Sequence, residues 1–246
     1  MNFALQTESN ARGWTSEIFK HSNRESNLSD ISFYALDKTI DFHDNYTGSA
    51  GDYTLSAAGS SPTFARDATV PNIGVWLLDC ASSTDNQGGN LQWLSLPVAV
   101  SATNTLGFEV RLKVEDIATG PQFFSGVHAV DTAIISSGVM DGTASSYAGF
   151  MSLTDNNVVL PTSADNTAAE TGATVDTLVD GTYVRYGVRI VRRERVEFYK
   201  NGVKVATHTT RIPAAAEIMY PSWVCQSAGT TDPIVHLDAF RIAVNN

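Results

Sequence analysis

Hydrophobic residues in this chain recur mostly at every second position and in short runs, the spacing of half-buried strands rather than helices. In the stretch 106–115 every even position is apolar (Leu106, Phe108, Val110, Leu112, Val114), and four of the five odd ones are charged. Val184, Tyr186, Val188 and Ile190 repeat the pattern. Residues 195–208 then read as a hairpin closed by Asn201-Gly202, a pair that accepts the positive φ angles of a type I′ turn. A two-residue loop predicts that Lys200 faces Val203, Phe198 faces Val205 and Val196 faces Thr207. Tyr199/Lys204, Glu197/Ala206 and Arg195/His208 fall on the opposite, polar side. A hairpin with one apolar face needs a second layer to cover it.

Further strands are expected near 72–79, 91–100, 122–129, 146–153, 157–160, 219–226 and 234–244. Apolar residues on both faces of the last suggest a bulge. Residues 82–90 and 161–180 read as polar loops, and 31–68 as candidate edge strands separated by turn clusters. Helical periodicity never persists past about two turns. No fixed-period repeat occurs, so a solenoid or propeller is not expected. The pattern predicts an all-β, two-sheet antiparallel β-sandwich over 31–246, preceded by a polar, irregular arm at 1–30. Phe198, Val205, Phe108, Val110, Val188 and Trp223 are the expected core.

Composition narrows the class. The 246 residues are 43% hydrophobic and 17% charged, enough apolar material for one large β domain and too little charge for a disordered chain. A formal charge of -10 argues against nucleic acid or an anionic membrane as partner. No apolar run reaches the ~20 residues that span a bilayer. The first residues lack the basic and apolar regions of a secretory signal, so synthesis and folding in a cytoplasm are expected. Cys80 and Cys225 are too few for a disulfide framework and read as buried thiols.

Candidate chemistry is sparse. A glycosidase needs two carboxylates flanking the scissile bond. Glu115-Asp116 and Glu194/Glu197 are the nearest candidates, and the latter two point to opposite faces of a regular strand. His128 with Asp131 and His236 with Asp238 lack a third metal ligand at a suitable spacing. There is no Gly-x-Ser-x-Gly elbow and no phosphate-binding loop. The expectation is therefore no enzyme, no catalytic or metal residue and no cofactor, with calcium the one ion left open at Asp85-Asn86 or Asp155-Asn156-Asn157. Phe3, Trp14 and Phe19 in the arm and the basic group Arg192, Arg193 and Arg195 are candidate partner-docking residues. Tyr147, Tyr183 and Tyr199 are candidate sugar-stacking rings.

Several blocks together carry a resemblance. They are the strand at 106–114, Gln122-Phe123-Phe124-Ser125-Gly126-Val127, Tyr147-Ala148-Gly149-Phe150, the run 181–189, Val196-Glu197-Phe198-Tyr199-Lys200-Asn201-Gly202-Val203, Pro221-Ser222-Trp223-Val224-Cys225-Gln226-Ser227 and Leu237-Asp238-Ala239-Phe240-Arg241-Ile242. In this order they resemble the concanavalin A-like (laminin-G/pentraxin-like) jelly-roll domains, in the version found in structural proteins of tailed bacteriophages. The resemblance covers about residues 70–246. It implies a non-enzymatic virion protein, first of all a capsid decoration or cement protein bound to the major capsid protein or other virion proteins. Such a protein is made in the host cytoplasm, displayed on the capsid surface and homo-oligomeric, with a trimer the first guess. The alternative it implies is a carbohydrate- or receptor-binding module of a tail fibre that contacts surface glycans.

Overall fold

The computed structural model describes residues 40–41, 53–67, 75–140, 145–153 and 157–245. The expected anchors Phe3, Trp14 and Phe19 lie outside them. Nineteen strands form among the described residues, with no helix. In chain order the first ten are β1 (Ile40–Asp41), β2 (Thr54–Ala58), β3 (Thr63–Arg66), β4 (Trp76–Asp79), β5 (Gly88–Gln92), β6 (Val98–Ala99), β7 (Thr105–Glu115), β8 (Pro121–Ala129), β9 (Ile135–Ser136) and β10 (Val139–Met140). They continue with β11 (Ser146–Ser152), β12 (Val158–Asp165), β13 (Ala169–Thr171), β14 (Asp176–Thr177), β15 (Val184–Val191), β16 (Arg195–Lys200), β17 (Val203–His208), β18 (Ile218–Ser227) and β19 (Ile234–Asn245).

Two large antiparallel sheets result. The first runs β17-β16-β15-β7-β19-β4-β3, with β1 also on β19. The second runs β13-β12-β11-β8-β18-β5-β2, with β14 on β12 and β6 on β18. β9 and β10 pair only with each other. This is the expected two-sheet sandwich. The strand at 88–92 corrects part of the expected 82–90 loop, and β12, β13 and β14 correct the 161–180 loop. Two glycines and an asparagine hide β5 from the hydrophobic pattern, and β13 and β14 are too short to alternate.

The alternating strands behave as their spacing requires. Leu106, Phe108, Val110, Leu112 and Val114 of β7 and Val188 and Ile190 of β15 enter the space between the sheets. All six expected core residues meet there, Val205 only half-buried. Rings cross from sheet to sheet: Phe108 and Phe240 of the first flank Trp223 of the second at 5.9 and 5.0 Å, and Phe150 of the second meets Phe198 edge-on at 5.6 Å. Such contacts add to the burial of each ring.

The Asn201-Gly202 turn forms with φ of 49° and 85°. Tyr199 pairs with Lys204 and Lys200 with Val203, as two-residue closure demands. A bulge then shifts the ladder, so Phe198 pairs with Ala206, Glu197 with Thr207 and Val196 with His208. This corrects the expected register beyond the first two pairs. The extra residue lets His208 turn inward to bond Ser163 of the opposite sheet, Nδ1 to Oγ at 2.9 Å. The bulge expected in the last strand is present between Leu237 and Ala239.

Candidate functional site

The outer face of the second sheet is built from the alternate positions that avoid the sandwich core. Register places Gln122 opposite Gln226, Phe124 opposite Val224, Gly126 opposite Ser222 and His128 opposite Tyr220. On either side, Asn90 faces Val224 and Gln92 faces Ser222, while Tyr147 faces His128 and Met151 faces Phe124. Asn90, Gln92, Gln122, His128 and Gln226 are all buried despite this outward direction.

The reason is the segment 131–140, which folds back over the sheet. Ile134, Ile135 and Met140 pack on Phe124, Tyr147, Met151 and Val224, giving a second apolar cluster separate from the main core. Amide side chains of the sheet hold this segment by its backbone. Asn90 Nδ2 donates to the Thr132 carbonyl at 3.2 Å, Gln226 Nε2 to Ile135 at 3.1 Å and Gln92 Nε2 to Ala129 at 3.0 Å. Gln92 Oε1 accepts the Asp131 N–H at 2.8 Å. Nearby, Gln122 Nε2 donates to Asn86 Oδ1 at 2.8 Å and faces Asp85 Oδ1 at 3.3 Å.

Carbonyl or carboxylate oxygens face the amide nitrogens of Asn90, Gln122 and Gln226, which fixes which end of each amide is nitrogen. The opposite ends are then acceptors, and Asn90 Oδ1, Gln122 Oε1 and Gln226 Oε1 find no donor among the described residues. Buried acceptors without a donor cost on the order of 1–3 kcal/mol each, so three on one face are unusual for purely structural amides. Beside them lies an aromatic group. His128 stacks on Tyr147 at 5.3 Å with an 11° tilt, and Phe124 stands edge-on to both. Phe124 also covers Gly149, where a Cβ would come within 2.6 Å of its ring.

The sequence-predicted residues land as follows. Tyr147 and Tyr199 are 1% and 2% exposed, which corrects the expectation of solvent-facing rings. The Tyr147 ring is covered by its stack on His128, and the Tyr199 hydroxyl donates to Glu197 at 2.9 Å. Tyr183 is half-buried, with the Arg111 guanidinium 4.1 Å from its ring centre. Arg192 is exposed, Arg193 Nε donates to the Pro213 carbonyl at 3.1 Å, and Arg195 Nε donates to Glu197 at 2.8 Å, so the three do not form one basic patch. Asp85-Asn86 adjoins Gln122, whereas Asp155-Asn156 lies outside the described residues.

His128 does not pair with Asp131: its Nδ1 meets the Ala129 carbonyl at 2.7 Å, and Asp131 accepts from Ala133 N–H and Ser145 Oγ. His236 bonds Glu115 at 2.9 Å instead of Asp238, which pairs with Arg111. Burial lowers the His236 pKa, and the hydrogen bond from Lys113 lowers that of Glu115. Glu197 is a buried hub: Arg195 and Tyr199 donate to it, and Arg189 and Lys204 stand 3.6 and 3.8 Å away. Burial favours its neutral form, but the Arg195 and Tyr199 hydrogen bonds hold its carboxyl below the usual range. No group of three or more His, Cys, Asp or Glu among the described residues is placed to hold a metal.

The family model described as "SO2946-like, C-terminal domain" matches residues 73–238. No curated protein matches the sequence. Among solved structures, the protein of unknown function SO2946 from Shewanella oneidensis MR-1 is 14% identical with a TM-score of 0.57, covering 92% of this chain and 97% of that one. A Bacillus licheniformis beta-glucanase is 15% identical with a TM-score of 0.56, covering 83% and 97%. Arcelin-5, a lectin-like defense protein from Phaseolus vulgaris, is 8% identical with a TM-score of 0.57, covering 85% and 98%.

At these identities the likeness is one of fold: a concanavalin A-like jelly roll, shared with lectins and glucanases. It corrects the expectation of no enzyme. Glucanases are built on this sandwich, so the missing carboxylate motif is too narrow a ground for excluding activity. The sequence signals for the amide group were faint. Asn90, Gln92, Gln122 and Gln226 look like ordinary outward positions, and only strand pairing brings them together.

Proposed function

The chain belongs to the family of SO2946-like C-terminal domains, and from that premise we propose that it is a carbohydrate-binding β-sandwich. The observation that carries this reading is the set of buried amide oxygens on Asn90, Gln122 and Gln226, which lack a donor among the described residues. A sugar ring presents several hydroxyl donors in a fixed array and apolar C–H faces between them. The three acceptors complement those hydroxyls. Approach is from the Asn86 and Gly138 side, where both residues are half-exposed and a Cβ on Gly138 would stand 3.4 Å from Asn86 Oδ1 and 3.6 Å from Gln122 Nε2. That the fold is shared with lectins and glucanases supports the same reading.

A glycan array followed by calorimetric titration tests it. We expect saturable binding to at least one oligosaccharide class, weakened about tenfold or more by Gln122→Leu or Gln226→Leu, since a lost hydrogen bond to a ligand costs about 1.4 kcal/mol or more. Absence of binding across the array, or binding unchanged by both substitutions, overturns the site.

The setting carried forward is a receptor-binding module of a phage tail fibre, which joins this reading to the phage resemblance of the sequence blocks. A trimeric capsid-cement role has that resemblance alone behind it. Binding of the purified protein to particles that lack it, lost on removal of residues 1–30, would favour cement over the tail setting.

A further inference from the structure

Cys80 and Cys225 are distant in sequence and belong to opposite sheets, yet both side chains enter one core, fully buried. The topology explains their meeting. Cys225 lies near the end of β18 in the second sheet, and Cys80 directly follows β4 in the first. The chain leaves β18 at Ser227 and enters β19 at Ile234, which pairs with Asp79 at the end of β4. The sheets are therefore tied at this corner by a short connection, and a thiol from each faces it.

One carbonyl shows how close the approach is. Pro233 O accepts the Cys80 N–H at 3.4 Å and the Cys225 thiol at 3.2 Å. The Cys80 thiol reaches the next residue back, with Asp232 Oδ1 at 3.0 Å, and also the Ser82 carbonyl at 3.2 Å. The same carbonyl oxygen thus touches both residues, which places the two cysteines side by side. Both cysteines are free thiols in this structure.

We propose that Cys80 and Cys225 are a redox pair that closes to an inter-sheet disulfide when a disulfide oxidant such as oxidised glutathione is present. The chemistry balances in two exchanges. The Cys80 thiolate attacks one sulfur of oxidised glutathione and expels a glutathione thiolate, giving a mixed disulfide. The Cys225 thiolate then attacks the Cys80 sulfur and expels the second glutathione. Two protein thiols lose two electrons and two protons, and one oxidised glutathione becomes two reduced ones. Because Cys80 is itself buried, the first exchange requires local opening of the loop that follows it, where Ala81 and Ser83 are exposed. Burial, and next the Cys80 thiol, push the Cys225 thiol up, so closure is slow at neutral pH and faster in alkali. The cross-link joins two sheets across a long loop, the arrangement that most restricts the unfolded chain.

The test uses the full chain equilibrated with graded ratios of reduced and oxidised glutathione at mildly alkaline pH, then denatured and alkylated. We expect both thiols to vanish together, with the mass lowered by the two lost hydrogens. A non-reduced digest should join the Cys80 and Cys225 peptides. The thermal midpoint should rise by several degrees and fall back with dithiothreitol. Two alkylatable thiols at every ratio, a glutathione adduct alone, or a cross-link between chains would each overturn the pair. Cys225→Ser serves as the control: a rise of its midpoint under the oxidant would also overturn the proposal. The mass measurement on the unaltered chain decides the matter even if that variant fails to fold.

Discussion

Phe198 and Glu197 are adjacent residues on opposite faces of β16, and both are buried. Phe198 lies between Phe150 and His208 in the core. Phe198→Ala should cost about 3–5 kcal/mol, read as a lower urea midpoint, because the two sheets cannot close fully around the missing ring. Glu197 falls on the polar side of the hairpin, yet it too is buried. Glu197→Ala would leave Arg195 and the Tyr199 hydroxyl without their shared acceptor and should cost about 2–4 kcal/mol in the same assay. The pH dependence has a defined sign. Burial lowers the pKa values of His208 and His236 below 6.5, so the unfolded chain takes up protons first as the solution is acidified. Their contribution is full above about pH 6.5 and declines as pH falls from there toward the folded-state values. Glu197 adds a second loss lower down, since its carboxyl lies below 4.5 in the fold. Chemical denaturation at a series of pH values should show both steps, and Glu197→Gln should shrink only the lower one, to which Glu115 and Asp165, also held low, contribute as well.

At the scale of elements, the β9–β10 hairpin is the piece with its own small core. Ile135→Ala should loosen it while leaving the two sheets paired. Limited proteolysis should then cut within 131–140 faster than in the unaltered chain, with little change in the far-ultraviolet spectrum. This element was the least legible in the sequence. Its two-residue strands carry no alternation, and what holds it down is side-chain amides from two distant strands, β5 and β18. By contrast, the Asn201-Gly202 hairpin was readable because its information is local: two residues set the turn, and alternation sets the faces. Gly202→Val should cost about 1–2 kcal/mol, as a β-branched residue resists φ of 85°. The same local reading missed the bulge beyond Tyr199, because what stabilises it is His208 meeting a serine on the other sheet. The candidate site failed to show for a related reason. Polar outward positions look alike until pairing tells which of them share a surface.

For the molecule as a whole, each sheet has an interior strand that comes from the end of the chain. β18 lies between β8 and β5, and β19 between β7 and β4. Removing 234–246 should therefore abolish cooperative unfolding altogether, and a soluble, cooperatively melting truncation would contradict the topology. Sandwiches that depend on such distant pairings fold slowly, on the order of milliseconds to seconds.

The bulge between β16 and β17 bears on assembly as well. β17 is an edge strand, and a straight, greasy edge invites a neighbouring chain to add its own strand and build outward without end. Here the extra residue twists that edge out of line, and Lys204 stands exposed on it. An incoming chain would meet a broken hydrogen-bond ladder and a charge. The kink that turns His208 inward thus also guards this border against runaway polymerisation, leaving self-association to faces and loops, where it can stop at a fixed number of copies.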